Sequence, residues 1–367
     1  MTNEIKTIKT INAISSSNII VKNEYIKFVT DNKKYTESQK KILIWYFDIK
    51  NKYYVDRKTN RQISKLINYV YKFGDIDNIT KVKILFGRFT GNKLKQIIHQ
   101  IKSDPNLTDD QIIELIFKLN KNNLDRHKIE NNNNQTKELD YYTKKNKPYT
   151  NDWKYMIESI IFKLDKLDKL NNSNNSNNSN NLGLLKTKYL DIGCGNGSKT
   201  KIFGNKLNIN QSNLHGCDIM TWGPYKSNKD FGFNFSLIQN GKLPYADNSF
   251  DIITAILTLH HVSELNDFIM EIKRVLKIEG KLILIEHNVY NDTEAMIIDV
   301  QHLFFGAFTD NNLDFVKNEM HTTCYNQMEW EYIFNKHNMK CLHNEMLFPQ
   351  LENRLRYDSL YYAIYQK

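Results

Sequence analysis

Cysteine is scarce in this chain and poorly placed for pairing. Four occur in 367 residues, Cys194, Cys217, Cys324 and Cys341, and no two make a C-x-x-C pair. That spacing argues against a disulfide framework and a cysteine-based structural zinc site, and it fits a reducing, cytoplasmic compartment. Long apolar runs are missing as well. No 18 consecutive apolar residues occur, so no membrane span is expected. The opening residues, Met1-Thr2-Asn3-Glu4-Ile5-Lys6, lack the apolar core of a secretion signal. Acidic residues are short in one half only. Residues 1–150 hold 29 Lys and Arg against 16 Asp and Glu, a balance of +13, whereas the remaining 217 hold 22 against 25. The excess positive charge therefore belongs to the N-terminal region. Such asymmetry predicts an anionic partner, RNA among the candidates, with a merely solvated basic surface as the plain alternative. No oligomeric state can be read from these features.

What the chain does have is a glycine loop. Residues 189–197 read Tyr-Leu-Asp-Ile-Gly-Cys-Gly-Asn-Gly, a short apolar run entering glycines at 193, 195 and 197. Alternate glycines let backbone turn sharply and lie against a ligand, since no Cβ intervenes. A dinucleotide fingerprint would need its third glycine at 198, where Ser198 stands, so a nicotinamide cofactor is disfavoured. Downstream, Val, Leu and Ile runs alternate with helical patterns, as in a parallel α/β sheet. Leu214-His215-Gly216-Cys217-Asp218 reads as a strand ending in an acid, 21 residues after Gly197. An acid there can accept both hydroxyls of a ribose; the structural alternative is a strand-end Asp capping a turn.

The run Asp191-Ile-Gly-Cys-Gly-Asn-Gly resembles motif I of the class I S-adenosylmethionine (SAM)-dependent methyltransferases. Leu243-Pro-Tyr-Ala-Asp-Asn-Ser-Phe-Asp251 resembles the LPFxDxSFD signature of the type 11 group. Glu271, Arg274-Val-Leu-Lys277 and Gly280 resemble its E-x-x-RVLKPGG segment, with Ile278-Glu279 replacing Pro-Gly. The resemblance runs from about Lys186 to Ile285. It implies an α/β, Rossmann-like class I methyltransferase sheet, mostly parallel, whose antiparallel last strand is Tyr361–Tyr365. It also implies SAM as cofactor. Gly193, Cys194, Gly195 and Gly197 would approach it, Asp191 would orient the loop and the ammonium end, and Asp218 would hold the ribose. Gln239 or Asn240 would meet the adenine, and Leu257 would line the pocket.

Ahead of this domain the pattern is helical. Thr36 and Gln39 make a capping box before Ile42, Leu43, Trp45, Tyr46 and Phe47, and Thr108 with Gln111 makes another before Ile112 to Leu119. Further helices are expected at 61–73 and 93–102, and residues 1–30 read as irregular. The organisation expected is a mainly helical basic domain at 1–125, a polar linker at 126–150 and a methyltransferase domain at 151–367. The last opens on a helix at 152–170 and carries a disordered Asn/Ser insertion at 171–182.

Three places hold side chains suited to acid–base work. His260 and His261 follow the fourth strand, whose run ends in Thr258-Leu-His-His-Val262, and border the transfer centre; one is readable as a core histidine, the other as packing on the cofactor. Glu286 and His287 follow a fifth strand at Leu282–Ile285. Asp299 and His302, three apart on a helix, share a face. Ile285-Glu-His-Asn288 with Asp299-Val-Gln-His302 resembles an REHD…DxxH pattern of methyltransferase-like proteins of large DNA viruses, with Ile for Arg and Asn for Asp. A structural or substrate-positioning network is the reading adopted here, and no metal is assigned. For the acceptor, RNA or an RNA cap is one expectation. Guanine N7 is favoured over 2′-O, because no Asp of a Lys-Asp-Lys-Glu tetrad follows the fourth strand. A small molecule or lipid is the alternative, and a catalytically inactive binding subunit is a third.

Overall fold

The computed structural model describes residues 20–55, parts of 99–118, 147–172, 186–221, 231–309, 322–347 and 360–367. The helix expected at 61–73, most of that at 93–102, most of the linker and nearly all the Asn/Ser insertion lie outside the described residues.

The central strands are apolar runs buried on both faces, the mark of a sheet covered on two sides, whereas the two edge strands are only partly buried. They are β1 (Tyr189–Ile192), β2 (Leu214–Asp218), β3 (Asn234–Leu237), β4 (Phe250–Ile256), β5 (Leu276–His287), β6 (Lys340–Met346) and β7 (Leu360–Gln366). Their order in the sheet is β3-β2-β1-β4-β5-β7-β6. β7 alone runs against the others, pairing antiparallel with β5 on one side and β6 on the other. This is the class I methyltransferase arrangement that the motifs implied.

The longer helices among the described residues are α1 (Lys22–Asp31), α2 (Glu37–Val55), α3 (Lys147–Asn172), α4 (Ser198–Lys206), α5 (Leu265–Val275), α6 (Asp292–Thr309) and α7 (Gln327–Lys336), and a further helical stretch covers 109–115. Alternation along the strands divides the core. Leu282 and Leu284 join a cluster with residues of α1, α2, α5 and α7, while Ile283 and Ile285 join one with residues of α3 and α4. Three boundaries differ from the sequence reading. α3 starts at Lys147 rather than 152. β4 stops at Ile256, because Leu257 turns into the left-handed region with φ 52. β5 starts directly after α5 and runs on through His287, so Glu286 and His287 are strand residues and not part of the following loop.

Residues 22–31 form a helix where irregular chain was expected. Tyr25 and Val29, one turn apart, are buried, and the Tyr25 ring lies 4.5 Å from that of Phe47 and 5.6 Å from that of Tyr332. Both Thr36 and Thr108 capping boxes form. α2 is anchored to the catalytic half by a buried ion pair. The Lys50 ammonium meets the Glu329 carboxylate and donates to the Val289 carbonyl at 2.8 Å. Glu329 also closes the capping box of α7, accepting from the Asn326 N–H at 2.8 Å while its own N–H donates to Asn326 Oδ1 at 3.0 Å. α1 and α2 thus share one core with the sheet.

Removing one partner of a buried pair leaves the other charge unpaired, at a cost of about 3–5 kcal/mol. Lys50→Met should therefore lower the urea unfolding free energy by about that amount, and adding Glu329→Gln should return much of it. A loss under about 1 kcal/mol would show that the pair does not hold α2 in place.

Candidate active site

The loop leaving β1 is stitched to β2, where the N–H groups of Gly193 and Cys194 donate to the Cys217 carbonyl at 2.8 and 3.1 Å. Its glycines do different work. A Cβ on Gly193 would fall 2.2 Å from Thr258 Oγ1, so this glycine lets the loop press against the exit of β4. Gly195 has φ 54, yet nothing lies within 4 Å of where its Cβ would be. Its side of the loop is open, which is where a ligand can approach backbone.

Asp218 closes the other side. Its Oδ2 accepts the Gly195 N–H at 2.9 Å and its Oδ1 the Ile219 N–H at 2.7 Å. Each oxygen keeps a second acceptor site. The turn-capping and ligand-holding readings of Asp218 are therefore compatible. Gln239 and Asn240 lie just past β3 in a tight turn, with the Lys242 N–H donating to the Gln239 carbonyl at 2.9 Å. Asn240 and Gly241 both have positive φ, 51 and 67, the demand of a two-residue Asn-Gly turn. Burial raises the Cys194 and Cys217 thiols well above their usual range, which makes them poor nucleophiles.

Asp191 is 2% exposed and faces inward. Thr200 of α4 donates to its Oδ2 at 2.6 Å, and Thr254 of β4 donates to its Oδ1 at 2.7 Å. It thus ties β1, β4 and the helix after the loop together. The two threonines were not identified from sequence. A lone Thr inside the apolar strand Ile252-Ile-Thr-Ala-Ile256 was the available signal.

The acid–base candidates gather at the ends of β4 and β5. Glu286 Oε1 accepts the N–H groups of Thr258 and Leu259 at 3.0 and 2.7 Å, and its Oε2 lies 2.5 Å from His260 Nδ1. His260 Nε2 faces His302 Nε2 at 3.2 Å, and His302 Nδ1 lies 2.7 Å from the Ile298 carbonyl. His287 packs with its ring centre 5.1 Å from that of His260. His261 is exposed, with its ring centre 5.0 Å from that of His302. Burial holds His260 and His287 well below their usual pKa and lowers His302, and it pushes the Glu286 carboxyl up to about 7. Asp299 lies close enough to His302 for its charge to favour the protonated imidazole, and it also accepts from Tyr53 Oη of α2 at 2.9 Å.

Residues 190–284 match the family described as a methyltransferase domain. The chain carries a class I SAM-dependent methyltransferase domain. That domain is 31% identical over 93 residues to the uncharacterized methyltransferase YcgJ of Bacillus subtilis, covering 25% of this chain and 32% of that protein. It is 30% identical over 104 residues to the 27-O-demethylrifamycin SV methyltransferase of Amycolatopsis mediterranei, covering 26% of this chain and 37% of that one. The chain thus spans about a third of the length of the curated relatives it matches. Among solved structures, that of YcgJ aligns with a TM-score of 0.33 at 17% identity, over 50% of this chain and 94% of its own. A SAM-dependent methyltransferase from Aquifex aeolicus aligns at 0.32 and 18%, over 49% and 82%. SAM is the cofactor of this class. The methyltransferase domain fits it: Gly195 leaves room before the loop, and Asp218 offers acceptor sites beside it.

Burial pushes the Asp191 carboxyl from 3.8 up to about 6. Below pH 3.8 the folded and unfolded chains both hold this proton. Between there and about 6 only the folded chain does, so the group's stabilising contribution falls as pH rises through that window and is level above it. A displacement of that size is worth about 3 kcal/mol. The stability of wild type relative to Asp191→Asn should therefore drop by roughly 3 kcal/mol between pH 4 and 7 in urea unfolding. A pH-independent difference would show that Asp191 ionises as freely in the fold as outside it.

Proposed function

We propose that the chain transfers the methyl group of SAM to an acceptor bound over the ends of β4 and β5. The observation that carries this reading is the paired geometry of Gly195 and Asp218. One residue leaves backbone open to a ligand, and the other is held against that same backbone by the 2.9 Å bond from Gly195 N–H. Bound SAM supplies a methyl group on a positively charged sulfur, an electrophile that needs an aligned nucleophile rather than an activated enzyme group. The chain's own part is placement. Asp218 would accept the ribose hydroxyls, and an amide at Gln239 or Asn240 would meet the adenine. Asp191 would keep the loop in register from behind. Of His260, His261, Glu286 and His287, only His261 is exposed, so it is the one positioned to touch an acceptor. The other three would act through it or through the loop.

For the acceptor we infer RNA, with an atom such as guanine N7 that carries a free lone pair and needs no base. Support comes from the +13 balance of residues 1–150. A small-molecule acceptor is the second reading, favoured by the domain's 30% identity to an enzyme named for a rifamycin substrate.

Calorimetric titration of the purified chain with SAM should show micromolar binding, weakened at least tenfold by Asp218→Ala. A folded wild-type chain that binds no SAM would overturn the reading and favour an inactive binding subunit. RNA affinity should fall steeply between 50 and 200 mM salt, as expected when lysines displace counterions from phosphates. A flat salt response would move the acceptor to the small-molecule class.

A further inference from the structure

His260, His287 and His302 come from three elements widely separated in sequence: the turn after β4, the last residue of β5, and the middle of α6. Each offers a ring nitrogen, and these lie within 4.8 Å of one another. We propose that the three histidines form a binding site for one divalent transition-metal ion of the zinc class, oriented by Glu286 and the Ile298 carbonyl.

Hydrogen-bond accounting leads there. His302 Nδ1 faces a carbonyl, which can only accept, so that nitrogen carries the proton and Nε2 of the neutral ring is bare. His260 Nδ1 faces the Glu286 carboxylate, which by the same rule leaves its Nε2 bare. Two bare lone pairs then confront each other at 3.2 Å, an arrangement that repels unless a cation lies between them. His287 adds a third demand: it is 8% exposed and its Nδ1 has no partner among the described residues. A proton held on the Glu286–His260 pair would satisfy the first two rings and leave His287 unpaired. A metal ion takes all three.

The dimensions suit an ion. Ligand nitrogens at about 2.0–2.1 Å from a tetrahedral zinc stand about 3.3 Å apart, close to the observed pair. His287 must close by at most about 1.5 Å, within reach of a ring rotation. The outer partners also suit one. Metal-bound histidines ordinarily give their second nitrogen to a carboxylate or a backbone carbonyl, which fixes the tautomer. Here His260 has the first and His302 the second. Neutral imidazoles favour Zn, Cu, Fe or Ni over Mg and Ca. Three protein ligands leave a fourth position open for water or an acceptor oxygen. From sequence, Glu286, His287, Asp299 and His302 read as a structural or substrate-positioning network with no metal assigned. The fold brings His260 in, puts Glu286 behind it, and gives Asp299 to Tyr53.

The test is direct binding, read without SAM or turnover, so its outcome is separate from that of the SAM titration. Full-length protein stripped by chelator is titrated with Zn²⁺ against a chromophoric competitor, and bound metal is counted by mass spectrometry. One ion per chain is expected. His302→Ala and His287→Ala should each weaken binding at least a hundredfold, and Glu286→Gln about 10–100-fold. Circular dichroism checks that the variants fold, and half-buried His302 is the truncation best tolerated. Folded wild type that takes up no Zn²⁺, or folded His302→Ala that binds as tightly as wild type, overturns the proposal.

Discussion

A carboxylate shut away from water governs the geometry of this site. Asp191 accepts one hydroxyl from β4 and one from α4, and these two bonds offset part of the cost of burying its charge. They also fix three things at once: the register of β1 on β4, the start of α4, and therefore the span that the glycine loop must bridge. With both ends of the loop set, Gly195 has few places to go, and the bond to Asp218 selects one. The open face of the glycine loop is thus built from behind, by groups that need not touch a ligand.

A second carboxylate does the same at the exit of β4. Glu286 receives the N–H groups of Thr258 and Leu259, just past β4, and pairs with the imidazole of His260. Thr258 belongs to both halves. Its side chain lies where a Cβ on Gly193 would be, and its N–H is one of the two that Glu286 holds. Movement of the glycine loop therefore reaches the histidine cluster through a single residue. Leu257, held at φ 52 just before it, is the sort of strained position that persists only where its surroundings over-determine it.

Much of this was legible in the sequence, for identifiable reasons. The parallel strands, the glycine loop and Asp218 are local patterns whose spacing carries the geometry. The capping boxes at Thr36 and Thr108 are equally local and equally readable. What was not legible depends on contacts between distant segments. α1 looked irregular because its moment of order comes from Tyr332 and Phe47, not from its own composition. The end of β4 was misplaced because Leu257 adopts a backbone conformation that leucine does not advertise. The His260–His302 pairing could not be read from a spacing of 42 residues, nor could the bond from Tyr53 of α2 to Asp299, which joins segments 246 residues apart.

The sheet order has a consequence for how the chain folds as it is made. β7 sits between β5 and β6, so β6 has no strand to pair with when it leaves the ribosome. It must wait, with the edge of β5 also unpaired, until the strand that comes after it arrives and slots in between. Order of synthesis and order of assembly therefore part company at this point. The nascent protein carries two open strand edges at the moment when most of its core is already in place.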